Sequence, residues 1–250
     1  MKNFARVLLI GAAGRMGQAV LAAAENQTGV VIAARADRGD DLKKQIGDCD
    51  VVVDFSQADA TEAICYACLD AGKPLVTGTT GHTNEQRALL KKTAHSIPIV
   101  LAANFSVGVN ALFWLARQAS ELLGEEFDLE IVETHHRMKK DAPSGTAKRL
   151  GEILAEGRKL NYETNVAHGR SGMIGPRSAQ EIGIHSIRGG DVVGDHTVIF
   201  AGRGERLELS HKASSRETFA LGALRAACWI VGRAPRLYSM EDVLGLSKKK

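Results

Sequence analysis

The sequence feature that most constrains the fold is a glycine motif near the start of the 250-residue chain. An apolar run from Ala5 to Ile10 ends in G-A-A-G-R-M-G, and a helix-like segment rich in alanine and leucine follows to about Asn26. In such a strand–turn–helix unit, Gly11 permits a tight turn, Gly14 lets the backbone approach a pyrophosphate, and Gly17 lets the helix pack closely on the strand. Glycine-rich turns also exist without a ligand, but this context predicts a dinucleotide-binding loop formed by Gly11, Ala12, Ala13, Gly14, Arg15 and Met16.

A charged pair, Asp37 and Arg38, follows the second apolar run, Val30 to Ala34. A carboxylate about 20 residues past the glycines can accept hydrogen bonds from an adenosine ribose, whereas an arginine there can pair with a 2′-phosphate. The two residues side by side predict a site that accepts NADH or NADPH. The alternative is an exposed charged turn without a ligand, because turns often carry such residues.

Three further apolar runs, at 51–55, 74–77 and 97–102, alternate with helix-like segments. Short valine- and isoleucine-rich runs between helices indicate a parallel sheet covered on both faces, so we predict an α/β domain with a Rossmann-type doubly wound sheet. Ligands bind such sheets beyond the carboxyl ends of the strands. The loops after the fourth and fifth strands should therefore line the same crevice as the glycine loop: Gly78, Thr79, Thr80, Ala102, Ala103, Asn104 and Phe105.

The second half of the chain has a different periodicity. Polar and apolar residues alternate, as is typical of half-exposed strands, over 128–133, 181–188, 196–201 and 206–211. Helices are predicted over 109–123 and 145–160, and a long loop over 161–178. These elements predict a second domain of the α+β class with a mixed open sheet. One face of this sheet would be exposed in a monomer, so we expect other subunits to bury it. An apolar helix over 221–231 is expected to pack back on the first domain. The predicted domains are 1–106 with 217–250, for the dinucleotide, and 107–216, for substrate binding and oligomerisation.

The stretch from Glu133 to Ala147 reads E-T-H-H-R-M-K-K-D-A-P-S-G-T-A and ends in a sequence typical of a helix start. A helix N-terminus favours an anion, and nearby cationic side chains strengthen that preference. Lys139 and the two histidines can hold negative charge and donate a proton, while the amides of Gly145 and Thr146 can cradle a carboxylate. Ser144 can either cap the helix or contact the ligand. We therefore predict an anion site rather than a solvated strand end.

A metal site is not expected in this stretch. His135 and His136 are neighbours on an extended segment, so their side chains point apart, and the one-turn histidine spacing of a zinc-binding helix is absent.

Composition excludes several other classes of protein. The formal net charge of +3 is too small to indicate nucleic-acid binding, and Lys248–Lys250 is interpreted as a solvated tail. Neither a membrane-spanning apolar run nor a signal-peptide pattern is present. The four cysteines suit a reducing compartment, so a cytoplasmic location is predicted. Cys65 and Cys68 form a C-x-x-C, but it lies inside an alanine-rich helical segment and is interpreted as core packing.

Motifs along the whole chain resemble the 4-hydroxy-tetrahydrodipicolinate reductase family of lysine and diaminopimelate biosynthesis. They are G-x-x-G-R-M-G, the Gly78–Gly81 and Ala103–Asn110 stretches, E-x-H-H-x-x-K-x-D-A-P-S-G-T-A, R-x-G-D-x-V-G-D-H at 188–196 and H-K-A-S-S-R at 211–216. The resemblance implies reduction of a cyclic, unsaturated dicarboxylate by a nicotinamide cofactor, with loss of water, in a homotetramer assembled through the second-domain sheets.

The resemblance also implies roles for single residues. His135 would be the general acid/base and Lys139 a proton donor, while His136, Gly145 and Thr146 would bind the substrate. Between Arg38 and Val51 the chain is shorter than many members of the family, so the preference between NADH and NADPH stays open. A dinucleotide-binding sensor without catalysis would explain the glycines but gives no reason for paired histidines, a lysine and an anion-binding helix start together.

Overall fold

The computed structural model describes residues 4–247 and divides them into two compact units. One comprises the described residues up to Val107 together with those from Arg216 onward, and the other comprises Gly108–Ser215. The first unit contains strands β1 Ala5–Ile10, β2 Val30–Ala36, β3 Val51–Asp54, β4 Leu75–Thr77, β5 Ile99–Leu101 and β11 Leu237–Tyr238, and helices α1 Arg15–Glu25, α2 Leu42–Gln45, α3 Thr61–Ala71, α4 Asn84–Thr93, α8 Glu217–Ile230 and α9 Met240–Leu244. Helix α5, Val107–Leu123, leads into the second unit, which contains β6 Asp128–His135, α6 Gly145–Arg158, α7 Tyr162–Asn165, β7 Val166–His168, β8 Ile182–Arg188, β9 Gly194–Gly202 and β10 Glu205–Ala213.

The sheet of the first unit consists of six parallel strands in the order β11-β5-β4-β3-β1-β2. Every residue of β3 is buried, because helices cover both faces of the sheet. Residues of α1 and α8 pack on one face, and residues of α3 and α4 pack on the other. The direction of strand order reverses between β1 and β3, which is the switch point where doubly wound sheets bind ligands. The predicted Rossmann-type α/β fold is confirmed.

The second unit has a five-stranded mixed sheet in the order β10-β9-β6-β8-β7. Strand β6 pairs in parallel with β8 and antiparallel with β9. Alternate residues of β6, including Leu129 and Ile131, join a core with α5 and α6, whereas the intervening residues of β6 and β9 are only half-buried. The predicted second domain with a mixed sheet is confirmed, and its sheet has one well-covered face.

Residues 161–178 correct one expectation, because they do not form a single long loop. The Asn161 side chain accepts a hydrogen bond from the Glu163 amide at 2.8 Å and so caps α7. Strand β7 then pairs in parallel with β8. Neither element has enough residues to display a hydrophobic period, and β7 is a strand only because a distant strand lies beside it. Elements β11 and α9 were missed for the same reason.

Other expectations concern the periphery of the fold and the cysteines. Cys65 and Cys68 lie on α3 as free, buried thiols inside a hydrophobic core, as predicted. Across residues 4–247, no helix combines the length and apolarity needed to cross a membrane. The interpretation of Lys248–Lys250 as a solvated tail concerns residues outside the described range.

Candidate active site

The glycine loop follows β1 at the switch point of the first sheet. Gly11 has a φ of +80°, and an added Cβ there would lie 2.6 Å from the carbonyl oxygen of Phe55, which follows β3. A Cβ on Gly17 would lie 2.2 Å from the Gly11 carbonyl oxygen, so this glycine lets α1 pack tightly against the loop. A Cβ on Gly14 would meet only the Gly11 oxygen, at 3.2 Å. The space beside Gly14 is therefore open to a ligand.

The N-terminus of α1 suits a phosphate group. Gly14 is the N-cap residue and supplies no side-chain hydrogen bond, so the first amides of α1 keep their capacity for an anion. Asp37 follows β2, and its carboxylate oxygens accept from the Ala13 amide at 3.0 and 3.1 Å. Each oxygen of an ionised carboxylate can accept a second hydrogen bond, so Asp37 can also bind a ribose hydroxyl.

Arg38 lies beside Asp37 and pairs with Asp59 at 2.9 Å. The side chains of this pair are 87% and 59% exposed, and exposed pairs contribute at most about 1 kcal/mol. Arg38 can therefore exchange Asp59 for the 2′-phosphate of a cofactor at little cost.

The loop after β4 is fixed by Asp54, the last residue of β3. This carboxylate is 2% exposed and accepts hydrogen bonds from the hydroxyls of Ser56, Thr77 and Thr79, the last two at 2.8 and 2.9 Å. It thereby joins the ends of two neighbouring strands. A Cβ on Gly78 would lie 2.2 Å from the Phe55 ring, so this loop also packs closely on the residue after β3.

The segment after β5 is anchored by Phe105. Its ring is 2% exposed and meets the Phe55 ring edge-on, with the centroids 5.7 Å apart. A Cβ on Gly222 of α8 would lie 1.8 Å from the Phe105 carbonyl oxygen, so α8 holds this segment from behind. The Asn104 side chain accepts from the Ser106 amide at 2.9 Å. The glycine loop, the loop after β4 and this segment all follow the carboxyl ends of strands, and together they fit a nicotinamide dinucleotide.

In the second unit, a buried charge cluster surrounds His135, the last residue of β6. Nδ1 of His135 lies 2.6 Å from one carboxylate oxygen of Glu133, whose side chain is fully buried. Arg188, the last residue of β8, donates to both oxygens of Glu133 at 2.8 Å. The Ser144 amide also donates to Glu133, at 3.1 Å. Residues far apart in sequence therefore converge on one carboxylate.

Charge and burial set the protonation of this cluster. Burial alone would raise the pKa of Glu133, but the hydrogen bonds from Arg188 and His135 outweigh it and lower this pKa to about 2. Burial lowers the pKa of His135 below its ordinary value, and the Glu133 carboxylate opposes that shift. Because an ionised carboxylate only accepts hydrogen bonds, Nδ1 of His135 carries a proton, and Nε2 is the nitrogen that can gain or lose one.

His196 of β9 packs edge-on against His135, with ring centroids 5.2 Å apart, and its Nε2 lies 3.0 Å from the Ser144 hydroxyl. Burial, and then the neighbouring His135, lower the pKa of His196 to about 3, so it is neutral near pH 7. Gly194 leaves room for the His135 ring, since a Cβ there would lie 2.9 Å from Nε2 of His135.

The turn after β6 carries the remaining cationic groups. Lys139 Nζ donates to both carboxylate oxygens of Asp141 at 2.9 Å, and the Asp141 carbonyl oxygen accepts from Arg188 at 2.8 Å. The hydrogen bond from Lys139 lowers the pKa of Asp141. His136 lies directly after β6, and its amide donates to the Val192 carbonyl oxygen at 2.8 Å. This turn links Lys139 to the cluster around Glu133.

Helix α6 begins at Gly145, with Ser144 as its N-cap. The Ser144 hydroxyl accepts from the Ala147 amide at 3.2 Å, so Ser144 does cap the helix, and its side chain is buried. Gly145 is exposed and Thr146 is half-buried at the first turn. Within residues 4–247, His, Cys, Asp and Glu side chains form no group of three able to hold a metal ion.

Comparison with known proteins assigns the family. The family models described as "Dihydrodipicolinate reductase, N-terminus" and "Dihydrodipicolinate reductase, C-terminus" match residues 5–105 and 108–244. The chain belongs to the dihydrodipicolinate reductase family. It is similar to the 4-hydroxy-tetrahydrodipicolinate reductase of Akkermansia muciniphila, with 55% identity over 97% of this chain and 98% of the relative. The corresponding reductase of Acinetobacter baylyi is 45% identical, over 97% of each chain. The family inferred from the sequence motifs is confirmed.

Solved structures share the fold of this reductase-family chain. A dipicolinate-bound dihydrodipicolinate reductase from Paenisporosarcina sp. TG-14 superposes with a TM-score of 0.77 at 23% identity, over 94% of this chain and 97% of that one. A DAP dehydrogenase from C. glutamicum superposes with a TM-score of 0.56 at 13% identity, over 100% and 97% of the two chains. At these identities the likeness concerns the fold alone.

The sequence of this reductase-family chain did not predict a site role for Glu133, Arg188 or His196. A signal for Glu133 was present, because residues two apart on a strand lie on the same face, and Glu133 and His135 are two apart. Arg188 and His196 reach His135 only through pairing of β6 with β8 and β9, which no local pattern displays.

Proposed function

We propose that this chain is an NAD(P)H-dependent oxidoreductase that reduces 4-hydroxy-tetrahydrodipicolinate to tetrahydrodipicolinate, with loss of water, in lysine and diaminopimelate biosynthesis. The observation that carries the proposal is the family match over nearly the whole chain, including relatives of that name at up to 55% identity. The bound nicotinamide supplies a hydride. The chain must supply an anion site, a proton and a fixed cofactor.

The proton is assigned to His135, with Lys139 as a second donor. Nε2 of His135 is the nitrogen left to exchange a proton, because Nδ1 is held by Glu133. The Lys139 side chain is 19% exposed, and its ammonium group pairs with the carboxylate of Asp141. A dianionic substrate attracts such a group, and Lys139 can then transfer its hydrogen bonds from Asp141 to the substrate.

The substrate carboxylates are assigned to His136, Ser144, Gly145 and Thr146. The N-terminus of α6 has a partial positive charge, and Gly145 lets a carboxylate approach its backbone closely. Ser144 serves this site through the geometry of its cap, since its buried hydroxyl already bonds the Ala147 amide and His196. The relative from Paenisporosarcina binds dipicolinate, a planar ring dicarboxylate, which supports a substrate of this class.

The cofactor is assigned to the loops that follow the strands of the first sheet. The glycine loop and the N-terminus of α1 would hold the pyrophosphate, and Asp37 and Arg38 would contact the adenosine ribose. The remaining cofactor residues form the two loops after β4 and β5: Gly78, Thr79, Thr80, Ala102, Ala103, Asn104 and Phe105. The carboxylate of Asp37 suits NADH and the guanidinium of Arg38 suits NADPH, so both are proposed as cofactors.

The proposal extends to assembly and location. Val132, Ile187 and Ile199 lie on the less covered face of the second sheet, which supports a homotetramer formed through these faces. The free cysteines support a cytoplasmic location, because thiols persist in reducing compartments. Light scattering coupled to gel filtration tests the assembly, and a monomeric mass contradicts it.

The test of the activity is a coupled assay. Substrate is generated by the synthase that condenses pyruvate with aspartate semialdehyde, and oxidation of NADH or NADPH is followed by absorbance. We expect turnover with both cofactors. His135→Ala and Lys139→Ala should each lower kcat by about 100-fold or more while leaving NADH affinity unchanged. No turnover with either cofactor contradicts the proposed function, and wild-type rates in both variants contradict the assigned roles.

Titration of pyridine-2,6-dicarboxylate into the cofactor-bound protein tests the anion site separately. We expect saturable binding that Lys139→Ala weakens. Binding that is absent, or that Lys139→Ala leaves unchanged, contradicts the placement of the substrate carboxylates.

A further inference from the structure

The group that orients His135 is a buried carboxylate with an unusually complete set of hydrogen bonds. Glu133 is 0% exposed, and its two oxygens accept from Nδ1 of His135, both terminal nitrogens of Arg188 and the amide of Ser144. The Ser186 side chain is a further hydrogen-bond partner. A buried charge is tolerated only when it is paired and hydrogen-bonded to this degree. The carboxylate is therefore fixed in position and in charge before any substrate binds.

The geometry has a direct consequence for His135. The bidentate contact from Arg188 leaves the carboxylate no freedom to rotate, and a 2.6 Å hydrogen bond then fixes the plane of the imidazole. Nδ1 is engaged by the Glu133 oxygen, so Nε2 is the ring nitrogen left to exchange a proton with a ligand. We infer that Glu133, clamped by Arg188, is a positioning residue that holds His135 with Nδ1 protonated and with Nε2 as the nitrogen that gives its proton to the substrate.

This inference rests on the proposed function, since it concerns the proton that accompanies hydride addition. In the step, the Nε2–H bond of the imidazolium breaks and a bond from that proton to the substrate forms. The electron pair of the broken bond stays on Nε2, and the imidazole becomes neutral with Nδ1 still protonated. The Glu133 carboxylate stabilises the imidazolium before the step and takes no proton itself, because its pKa is about 2.

The charged groups facing His135 determine the sign of the pH effect. Glu133, on the same strand, raises the pKa of His135, whereas Lys139 in the following turn and Arg188 on β8 lower it. His196 on β9 is neutral, since its pKa is about 3. Removing the Glu133 charge therefore lowers the pKa of His135, and less of the imidazole is protonated near pH 7.

The decisive variant is Glu133→Gln, which keeps the shape of the side chain and removes its charge. We expect kcat at pH 7.5 to fall by about 10-fold or more, with less than about 3-fold change in KM. The alkaline limb of the kcat–pH profile should move to lower pH by about 1 unit or more, because a general acid must be protonated. The rate deficit should accordingly shrink at pH 6.

Arg188→Met provides a second arm of opposite sign. Removal of the Arg188 guanidinium takes away a positive charge that lowers the pKa of His135. The alkaline limb should therefore move to higher pH, provided that Glu133 stays ionised. If Glu133→Gln does not fold, the double variant Glu133→Gln, Arg188→Met removes both charges together, which buried pairs tolerate better than loss of one partner. Its limb should still move to lower pH, because the Glu133 contribution to His135 exceeds that of Arg188.

The matched control is Glu130→Gln. Glu130 lies on the same strand, pairs with Arg170 and Arg177, and has a pKa of about 2, because hydrogen bonds from these arginines and His185 outweigh its burial. Glu130 lies five positions before His135 on the strand, and residues an odd number of positions apart face opposite sides of a sheet. We expect its variant to keep the wild-type pH profile.

These experiments distinguish failure of the proposed reductase function from failure of the positioning role of Glu133. If wild-type protein fails to turn over, the proposed function and the inference both fall. If wild-type protein is active, and Glu133→Gln raises only KM and leaves the limb in place, Glu133 merely anchors Ser144 at the start of α6, and the inference alone is overturned. A limb that moves equally in the Glu130 and Glu133 variants also overturns it.

Discussion

Alanine substitution at two glycines of the loop after β1 should separate cofactor binding from folding. At Gly17, a new methyl carbon would lie 2.2 Å from the Gly11 carbonyl oxygen and 2.6 Å from that of Ala12. Ordinary contact needs about 3.5 Å, so α1 must move by about 1 Å, and both opposing atoms are backbone. Because α1 packs in the same core as α8, that movement disturbs the whole face of the sheet.

The cost at Gly17 is that of an overpacked core. Overpacking costs about 1–3 kcal/mol, and each kcal/mol lowers Tm by about 2–4 °C in chains of this size. We therefore expect Gly17→Ala to lower Tm by about 5–10 °C.

At Gly14 the expectation is reversed. Its φ of −72° and ψ of 165° suit any residue, and a methyl there would meet only the Gly11 oxygen, at 3.2 Å. Lower entropy of the unfolded chain stabilises such a substitution by about 0.4–1 kcal/mol, which offsets the slightly close contact. Tm should thus change by less than about 3 °C. The methyl group does occupy the space proposed for the pyrophosphate, so NADH affinity should fall about 10-fold or more, equivalent to about 1.4 kcal/mol.

The assay combines thermal unfolding followed by circular dichroism with NADH titration by calorimetry. Gly47→Ala is the control for a glycine-to-alanine change in the same unit, because no atom lies within 4 Å of its added Cβ. It should alter neither quantity. Wild-type NADH affinity in Gly14→Ala would refute the proposed cofactor position, and a wild-type Tm in Gly17→Ala would refute the packing argument.

Three further predictions concern other parts of the fold. Asp54→Ala should lower the free energy of unfolding by about 1–3 kcal/mol, because the buried hydroxyls of Thr77 and Thr79 and the half-buried hydroxyl of Ser56 lose their acceptor. Asp59→Ala should change this free energy by less than about 0.5 kcal/mol, and urea titration checks both variants. Gly194→Ala should lower kcat about 10-fold or more without changing NADH affinity, because the new methyl group would lie 2.9 Å from Nε2 of His135. Steady-state kinetics measures this effect, and an unchanged kcat would contradict the prediction. The pKa of Glu130 is about 2 in the folded chain and about 4.5 when unfolded, so its ionised form stabilises the fold above pH 4.5, and this stability is lost as the pH falls towards 2. The free energy of unfolding should therefore fall more steeply between pH 5 and pH 3 in wild type than in Glu130→Gln, at equal protein concentration.

Local patterns in the sequence predicted five of the six strands in the first sheet and the loops of the candidate cofactor site. Fully buried parallel strands appear as continuous apolar runs. The turn after β1 needs glycines because other backbone atoms approach it closely. These properties depend on neighbours a few residues away, so they can be recognised without a structure. The helix start at Ser144 is local in the same sense, and a family resemblance then supplied the substrate class.

Only the tertiary structure decided which residues complete the site. Arg188 lies 55 residues from Glu133 and reaches it because β6 and β8 pair with His135 opposite Arg188. His196 reaches Ser144 across 52 residues through the pairing of β6 with β9. Strand register is set by the packing of whole faces against α5 and α6. A shift of β6 by one residue would turn Glu133 and His135 to the opposite face, away from Arg188 and His196. The sequence by itself thus determined the longer elements and indicated the candidate reacting side chains, whereas the buried charge beside His135 arises from pairing between distant strands.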